Sequence, residues 1–291
     1  MGAWESAAAP SGPVGDPAPV PSADLHVHAS MRAEEAGAVA EALRRLHHQG
    51  LQRLWVYAHV VALDAADYQD RLARLPVPAL RHYNGPGVDD SVEAATRFLA
   101  SVSDGPEIDV VPQVDDLHGA VRERLDDVLC AGVVAVKIVH DLDLVDQEQA
   151  VLESDHAGLL GRLADDGVPA IVHLDLRRSE AWVRRVLADL PRLRLTIAHL
   201  GYSRSRMGPI LDEFQNVVGD IANLALHIEA KPDSYRAFLD RYAGRIVFGS
   251  DAFLGNLSAV EGHGRAVAGL GLSDHARNAL LHSDWYPEDG R

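Results

Sequence analysis

Eight short runs rich in β-branched and apolar residues recur along this chain, most of them followed by a segment with helical periodicity, and that alternation admits few architectures. Strands are predicted near residues 23–28 (ADLHVH), 53–60, 108–115 and 133–139, then near 169–174 (PAIVHL), 194–199 (RLTIAH), 217–222 and 245–250 (RIVFGS). Between them lie the amphipathic segments AEEAGAVAEALRRLHHQ, DDSVEAATRFLASV, LHGAVRERLDDVLCAG, DHAGLLGRLADDG, SEAWVRRVLADL and SYRAFLDRYAG. Gly50, Gly132, Gly167 and Gly244 stand where helices should stop, and Ser179 is a candidate N-cap before Glu180. The connection between strands six and seven offers only GPILDEF as a short helix, and from about residue 260 the chain reads as helical again. Eight strands alternating with helices predict an α/β fold, a single-domain (β/α)8 TIM barrel, whose active site forms at the C-terminal ends of the strands.

That end of the barrel is where the chemistry concentrates. His26 and His28, His173, His199 and Asp251 each fall at the end of a predicted strand. Fifteen histidines in 291 residues make about one His-x-His by chance, so position rather than the motif carries the signal. On a strand alternate side chains share a face, so His26 and His28 reach one point while Val27 packs behind. A mononuclear catalytic zinc site takes about three protein ligands and leaves a position open for water. His26, His28 and His173 are candidate nitrogen ligands, and Asp251 can add an oxygen ligand or bond the water. His199 is then left as the proton-transfer group, since imidazole titrates near neutrality.

Composition narrows the partners. A formal charge of -16 and a pI near 5.3 repel nucleic acid and anionic membranes and point to a small-molecule substrate. Cys130 is the only cysteine, so there is neither an intrachain disulfide nor a cysteine zinc knuckle, and a metal would be held by nitrogen and oxygen. One divalent ion is expected, zinc by default, with manganese, iron or cobalt fitting the same donors. Residues 1–22, rich in Ala, Pro, Gly and Ser, read as a disordered tail rather than a signal peptide, and residues 23–291 as the barrel. Met1 to Ser6 fits the short myristoylation pattern, which chance easily supplies. No apolar run is long enough to span a bilayer, and a cytoplasmic address is the default expectation. A homo-oligomer is a possible assembly, although no interface is legible.

Five pieces carry a resemblance: Asp24-Leu25-His26-Val27-His28, Gly132-Val133-Val134-Ala135-Val136-Lys137, Pro169-Ala170-Ile171-Val172-His173, Ile197-Ala198-His199-Leu200-Gly201 and Phe248-Gly249-Ser250-Asp251. In this order, over residues 23–285, they resemble the amidohydrolase superfamily, and within it the amidohydrolase-2 branch that includes the aminocarboxymuconate semialdehyde decarboxylase-like enzymes. The resemblance implies metal binding by His26, His28, His173 and Asp251 and proton handling by His199. In binuclear relatives a carboxylated strand-four lysine bridges two metals. Lys137, one of two lysines here, lies three residues before His140 and deep in the barrel, and the branch is usually mononuclear. The expectation is therefore one ion, with Lys137 paired to Asp251 or another carboxylate, or orienting substrate. Two departures stand out. Members commonly carry Gly-Gly after the strand-six histidine and an Asn-containing C-terminal motif, whereas this chain has His199-Leu200-Gly201-Tyr202 and His282-Ser283-Asp284-Trp285.

Around this set, Arg177, Arg178, Arg204 and Arg206 follow strands five and six and are candidates to grip a substrate carboxylate. Asp175 could orient a ligand, and Tyr57, His59, Gln113, His140, Tyr202 and Asp220 could line the pocket, as could His227 and Glu229. Arg81, His82 and Tyr83 in the long 61–92 connection could form a lid. His47, His48, His118, His156, His263, His275 and His282 read as structural. The expected activity is metal-dependent hydrolysis of an amide, lactone or related C–N or C–O bond in a small carboxylated, hence anionic, molecule. The alternatives are metal-dependent non-oxidative decarboxylation and a non-catalytic ligand-binding barrel.

Overall fold

The computed structural model describes residues 20–60, 90–114, 120–139 and 149–282. Tyr83 and its neighbours, His118, His140 and the Ser283–Trp285 motif lie outside the described residues. The strands are β1 (Ala23–His28), β2 (Arg53–His59), β3 (Glu107–Val114), β4 (Val136–Val139), β5 (Ala170–His173), β6 (Leu195–Ile197), β7 (Val217–Asp220), β8 (Ile246–Val247) and β9 (Ala252–Phe253). All pairings are parallel, in the order β8-β7-β6-β5-β4-β3-β2-β1-β9. The predicted eighth strand is thus two short pieces: β8 pairs with β7 and β9 pairs with β1, with Phe248–Asp251 bent between them. Backbone bonds from Leu25 N to Phe248 O (3.2 Å) and Asp251 N to His26 O (2.8 Å) stitch this bend to β1 and close the ring. The fold is a (β/α)8 TIM barrel.

Helices follow the strands: α1 (Ala36–His48), α2 (Val92–Leu99), α3 (Ala120–Cys130), α4 (Gln149–Asp166), α5 (Leu176–Asp189), α6 (Arg204–Glu213), α7 (Ala225–Ala230), α8 (Pro232–Arg241), α9 (Ser258–Ala268) and α10 (Asp274–Leu281). Gly50, Gly132, Gly167 and Gly244 all take positive φ just past helix ends, as a C-terminal glycine should. Ser179 is not an N-cap. Helix α5 starts three residues earlier, where the Asp175 carboxylate accepts from Arg177 N at 2.8 Å, and Ser179 is buried inside it with Oγ unpartnered. Part of the predicted tail is docked as well: Val20 is buried, and Ser22 bonds Leu281 O through both N and Oγ at 2.9 Å.

Two features shape the C-terminal rim. Between Asp24 and Val27 the β1 register slips by one residue against β2, a bulge that turns Leu25 into the inner cluster with Trp55 and Tyr57 while Val27 joins the outer cluster with Val39 and Leu43. Simple alternation along β1 therefore fails at this point, but His26 is fully buried and aimed inward. After β6, His199, Leu200, Gly201 and Tyr202 all have φ between 52 and 56°. A left-handed turn costs roughly 1–2 kcal/mol for each non-glycine residue, so holding three of them needs compensation from packing and hydrogen bonds.

Gly201 is the residue that lets this turn fit, because a Cβ there would sit 2.6 Å from Leu176 Cδ1. Gly201→Ala should lower stability by about 2–4 kcal/mol, from overpacking and left-handed strain together. A urea melt checks this, and an unchanged midpoint would contradict the placement.

Candidate active site

The ends of strands β1, β5 and β6 and the bend before β9 bring the five expected residues together. His26 Nε2 and His28 Nε2 both approach Asp251 Oδ1, at 3.1 and 3.2 Å. His199 Nε2 lies 3.1 Å from His173 Nδ1, and the His26 and His199 rings are 5.0 Å apart. The tightest group is His26, His199 and Asp251, whose ligand-type atoms all lie within 4.8 Å of one another. His28 joins it through Asp251 and His173 through His199.

The outer contacts determine which nitrogens carry protons. His26 Nδ1 is 2.8 Å from Asp220 Oδ2, and a carboxylate only accepts, so Nδ1 carries a hydrogen, while the Lys137 ammonium, which only donates, lies against Nε2 and meets its lone pair. Likewise His199 Nδ1 donates to Ala222 O at 2.9 Å, which leaves its Nε2 as a lone pair. A ring nitrogen bonded to a carboxylate or carbonyl is the usual outer contact of a metal-binding imidazole. Two lone pairs and a carboxylate converging in a buried space call for positive charge, of which the Lys137 ammonium beside His26 supplies only a part. The donor set therefore fits a divalent ion, and it contains only nitrogen and oxygen.

The charge states of the two aspartates and of His28, His173 and His199 agree, and His26 is the exception. Burial opposes ionisation of Asp251, but His199 and the bonds from His26 and His28 hold its carboxyl well below the usual range. Burial likewise opposes Asp220, yet His26 and the His199 backbone amide bring it to about 2. Burial pushes His28 down to about 4 and carries His173 and His199 down as well. On His26, burial and Lys137 favour the neutral ring, but Asp220 and Asp251 outweigh them and raise its pKa.

Lys137 is buried, with Nζ 2.5 Å from His26 Nε2 and 4.4 Å from the centre of the Tyr57 ring. It lies deep, as its place in β4 suggested. Tyr57 is a wall rather than a mouth residue: its ring packs edge-on against His26 and its hydroxyl donates to Leu25 O at 2.5 Å. His59 sits in a separate polar group with Gln113 (3.4 Å) and Asp90 (3.5 Å). Tyr202, 42% exposed, stacks on His199 and places its hydroxyl 3.3 Å from His173 Nε2. Asp175 caps α5, and Arg177 clamps its carboxylate through Nε and Nη2. Glu229 and His227 sit exposed on α7, a helix the periodicity did not reveal.

Two aspartates do more than the sequence indicated. Asp220 Oδ1 accepts from His199 N (2.7 Å) and Ala222 N (3.1 Å) while Oδ2 holds His26, so one carboxylate sets both rings. Asp24 Oδ1 accepts from His26 N and Ser250 N, tying β1 to the closing bend, and burial raises its carboxyl to about 6. Both stand inside strand-end motifs, but their spacing alone did not separate a scaffold role from pocket lining. His263, expected to be structural, is buried and accepts from Leu224 N and Ala225 N at the start of α7.

Asp220→Asn should cost about 1–3 kcal/mol in a chemical melt and weaken zinc retention about 10- to 100-fold in chelator competition. Unchanged retention would remove its organising role. In metal-stripped protein, the His28 ring should still be neutral at pH 5.5 by NMR, because its folded pKa lies below the ordinary 6.5. Its contribution to stability is then complete above pH 6.5 and lost as pH falls toward 4. Titration near 6.5 would contradict this.

Comparison with known proteins agrees with the fold. No curated protein matches the chain. Among solved structures, the phosphotriesterase from Mycobacterium tuberculosis superposes with a TM-score of 0.54 at 13% identity, covering 92% of this chain and 93% of that one. A TIM-barrel protein from Bordetella bronchiseptica gives 0.54 at 12% identity, covering 89% and 95%. A D-hydantoinase from a Thermus species gives 0.51 at 12%, covering 90% and 69%. At these identities the likeness concerns the fold. The family model described as Amidohydrolase matches residues 93–283, more than half of the sequence, and the chain belongs to the amidohydrolase family.

Proposed function

We propose that this protein is a metal-dependent hydrolase that cleaves an amide, lactone or related C–N or C–O bond in a small carboxylated molecule. The observation that carries the proposal is the convergence of the His26 and His199 Nε2 lone pairs on the Asp251 carboxylate, with His28 on the same oxygen. Membership of the amidohydrolase family supports hydrolysis over a binding-only role.

In this proposal His26, His28, His173 and Asp251 hold one divalent ion, zinc by default. Such an ion, when bound, polarises a carbonyl and lowers the pKa of a water to about 7. Asp251, kept ionised, accepts a proton from the attacking water. His199, neutral and braced by Ala222 O, takes that proton from Asp251 on its Nε2 lone pair and passes it to the leaving group, and the stacked Tyr202 ring shields that transfer from bulk water. Asp220 keeps the His26 ring in the required tautomer and anchors the His199 backbone, while Ala222 O sets the His199 tautomer. Lys137, beside His26, is assigned to positioning rather than to a bridge between two ions.

A second assignment draws on the compact trio, in which His199 is itself a ligand. One variant separates the two. His199→Ala should retain its metal and lose about 10²- to 10⁴-fold in turnover of carboxylated amides and lactones, since general acid–base groups contribute on that scale. Loss of the metal would make His199 a ligand. Chelation should abolish turnover and zinc should restore it. Products should gain the elements of water, and release of carbon dioxide without them would identify a decarboxylase instead.

A further inference from the structure

Beside His199 the protein has a cavity of about 360 Å³, lined by Tyr202, Arg204, His227, Lys231 and Tyr235 among others. Its volume suits a small ligand. Among the described residues no acidic side chain lines it, in a chain with 43 acidic residues and a charge of -16. Three of the four arginines that follow β5 and β6 separate here. Arg177 is committed to Asp175 and Arg206 to Glu180, with Nη1 2.6 Å from Oε2. Arg204 instead lies over the Tyr235 ring, 3.5 Å from its centre, and makes no ion pair among the described residues. Lys231, the only lysine besides Lys137, lines the same cavity from the junction of α7 and α8, also without an ion pair among the described residues.

We propose that Arg204 and Lys231 form an anion subsite that receives a carboxylate of the substrate and presents the neighbouring bond to His199, an inference that rests on the hydrolase proposal above. Stacking on Tyr235 holds the guanidinium plane in place, which lowers the ordering cost of a two-point grip on a carboxylate. The ammonium of Lys231 adds a second positive charge. In a chain this acidic, an anionic ligand would otherwise be repelled from the surface, so a cationic recess at the reacting histidine selects for it. The ligand class that fits is a small acid with a carboxylate in addition to the bond being cleaved.

Glutarate is a suitable probe, titrated calorimetrically into the full chain, both as purified and after chelation. Wild type should bind it saturably. Arg204→Gln and Lys231→Gln should each weaken binding about 10- to 100-fold, as expected for loss of a charge-assisted contact, with circular dichroism unchanged. Arg204→Lys should recover part of the loss, and Arg236→Gln, on the exposed face of α8, should have no effect. Equal affinity in wild type and the two Gln variants, or no saturable binding, would overturn the subsite. Weakened binding in both metal states without any hydrolytic turnover would uphold the subsite and refute the hydrolase. Turnover with glutarate binding insensitive to both variants would refute the subsite alone.

Discussion

One buried carboxylate organises this rim. Asp220 at the end of β7 bonds the ring of His26 across the barrel and the backbone amide of His199 on the adjacent strand. Its ionised state is stabilised by those contacts against the cost of burial. Through the first contact it sets the His26 tautomer, and through the second it anchors the left-handed turn that presents His199. A strained turn persists only where surrounding bonds over-determine it, and here the Asp220 and Ala222 contacts do so.

The barrel closure and the site depend on the same backbone. The bend at Phe248–Asp251 splits the last strand and bonds back to β1, and it delivers the Asp251 carboxylate to the two histidines of that strand. Asp24 braces the junction from beneath through His26 N and Ser250 N. Gly249 is small for a physical reason, since a Cβ there would lie 2.6 Å from His26 Cβ and displace the ring. Positioning of the site is thus a property of parallel strands ending at one level, as the fold requires.

Much of this was legible before any coordinates. Alternating apolar runs located the strands, with β1 read to the residue, because parallel strands buried on both faces leave a strong signal. The five strand-end residues followed from the same pattern. What escaped has local causes. A bulge in β1 and a bend in the last strand depend on pairing with neighbours, which sequence periodicity does not encode. The N-cap fell to Asp175 rather than Ser179 because helix α5 begins directly at the strand end. Arg177 looked equivalent to Arg204 in sequence, and only the fold shows one spent on a cap and the other stacked in a cavity. Asp220 carried no distinguishing mark, since its partners are 21 and 194 residues away.

The central claim is that imidazoles from separate strands and one aspartate share a single cation. Anomalous diffraction at the metal edge from crystals of the protein as purified tests it most directly. The account predicts one peak, roughly 2.0–2.2 Å from the Nε2 atoms of His26 and His28 and from an Asp251 oxygen. Two peaks flanking Lys137, or none within bonding distance of these atoms, would contradict it.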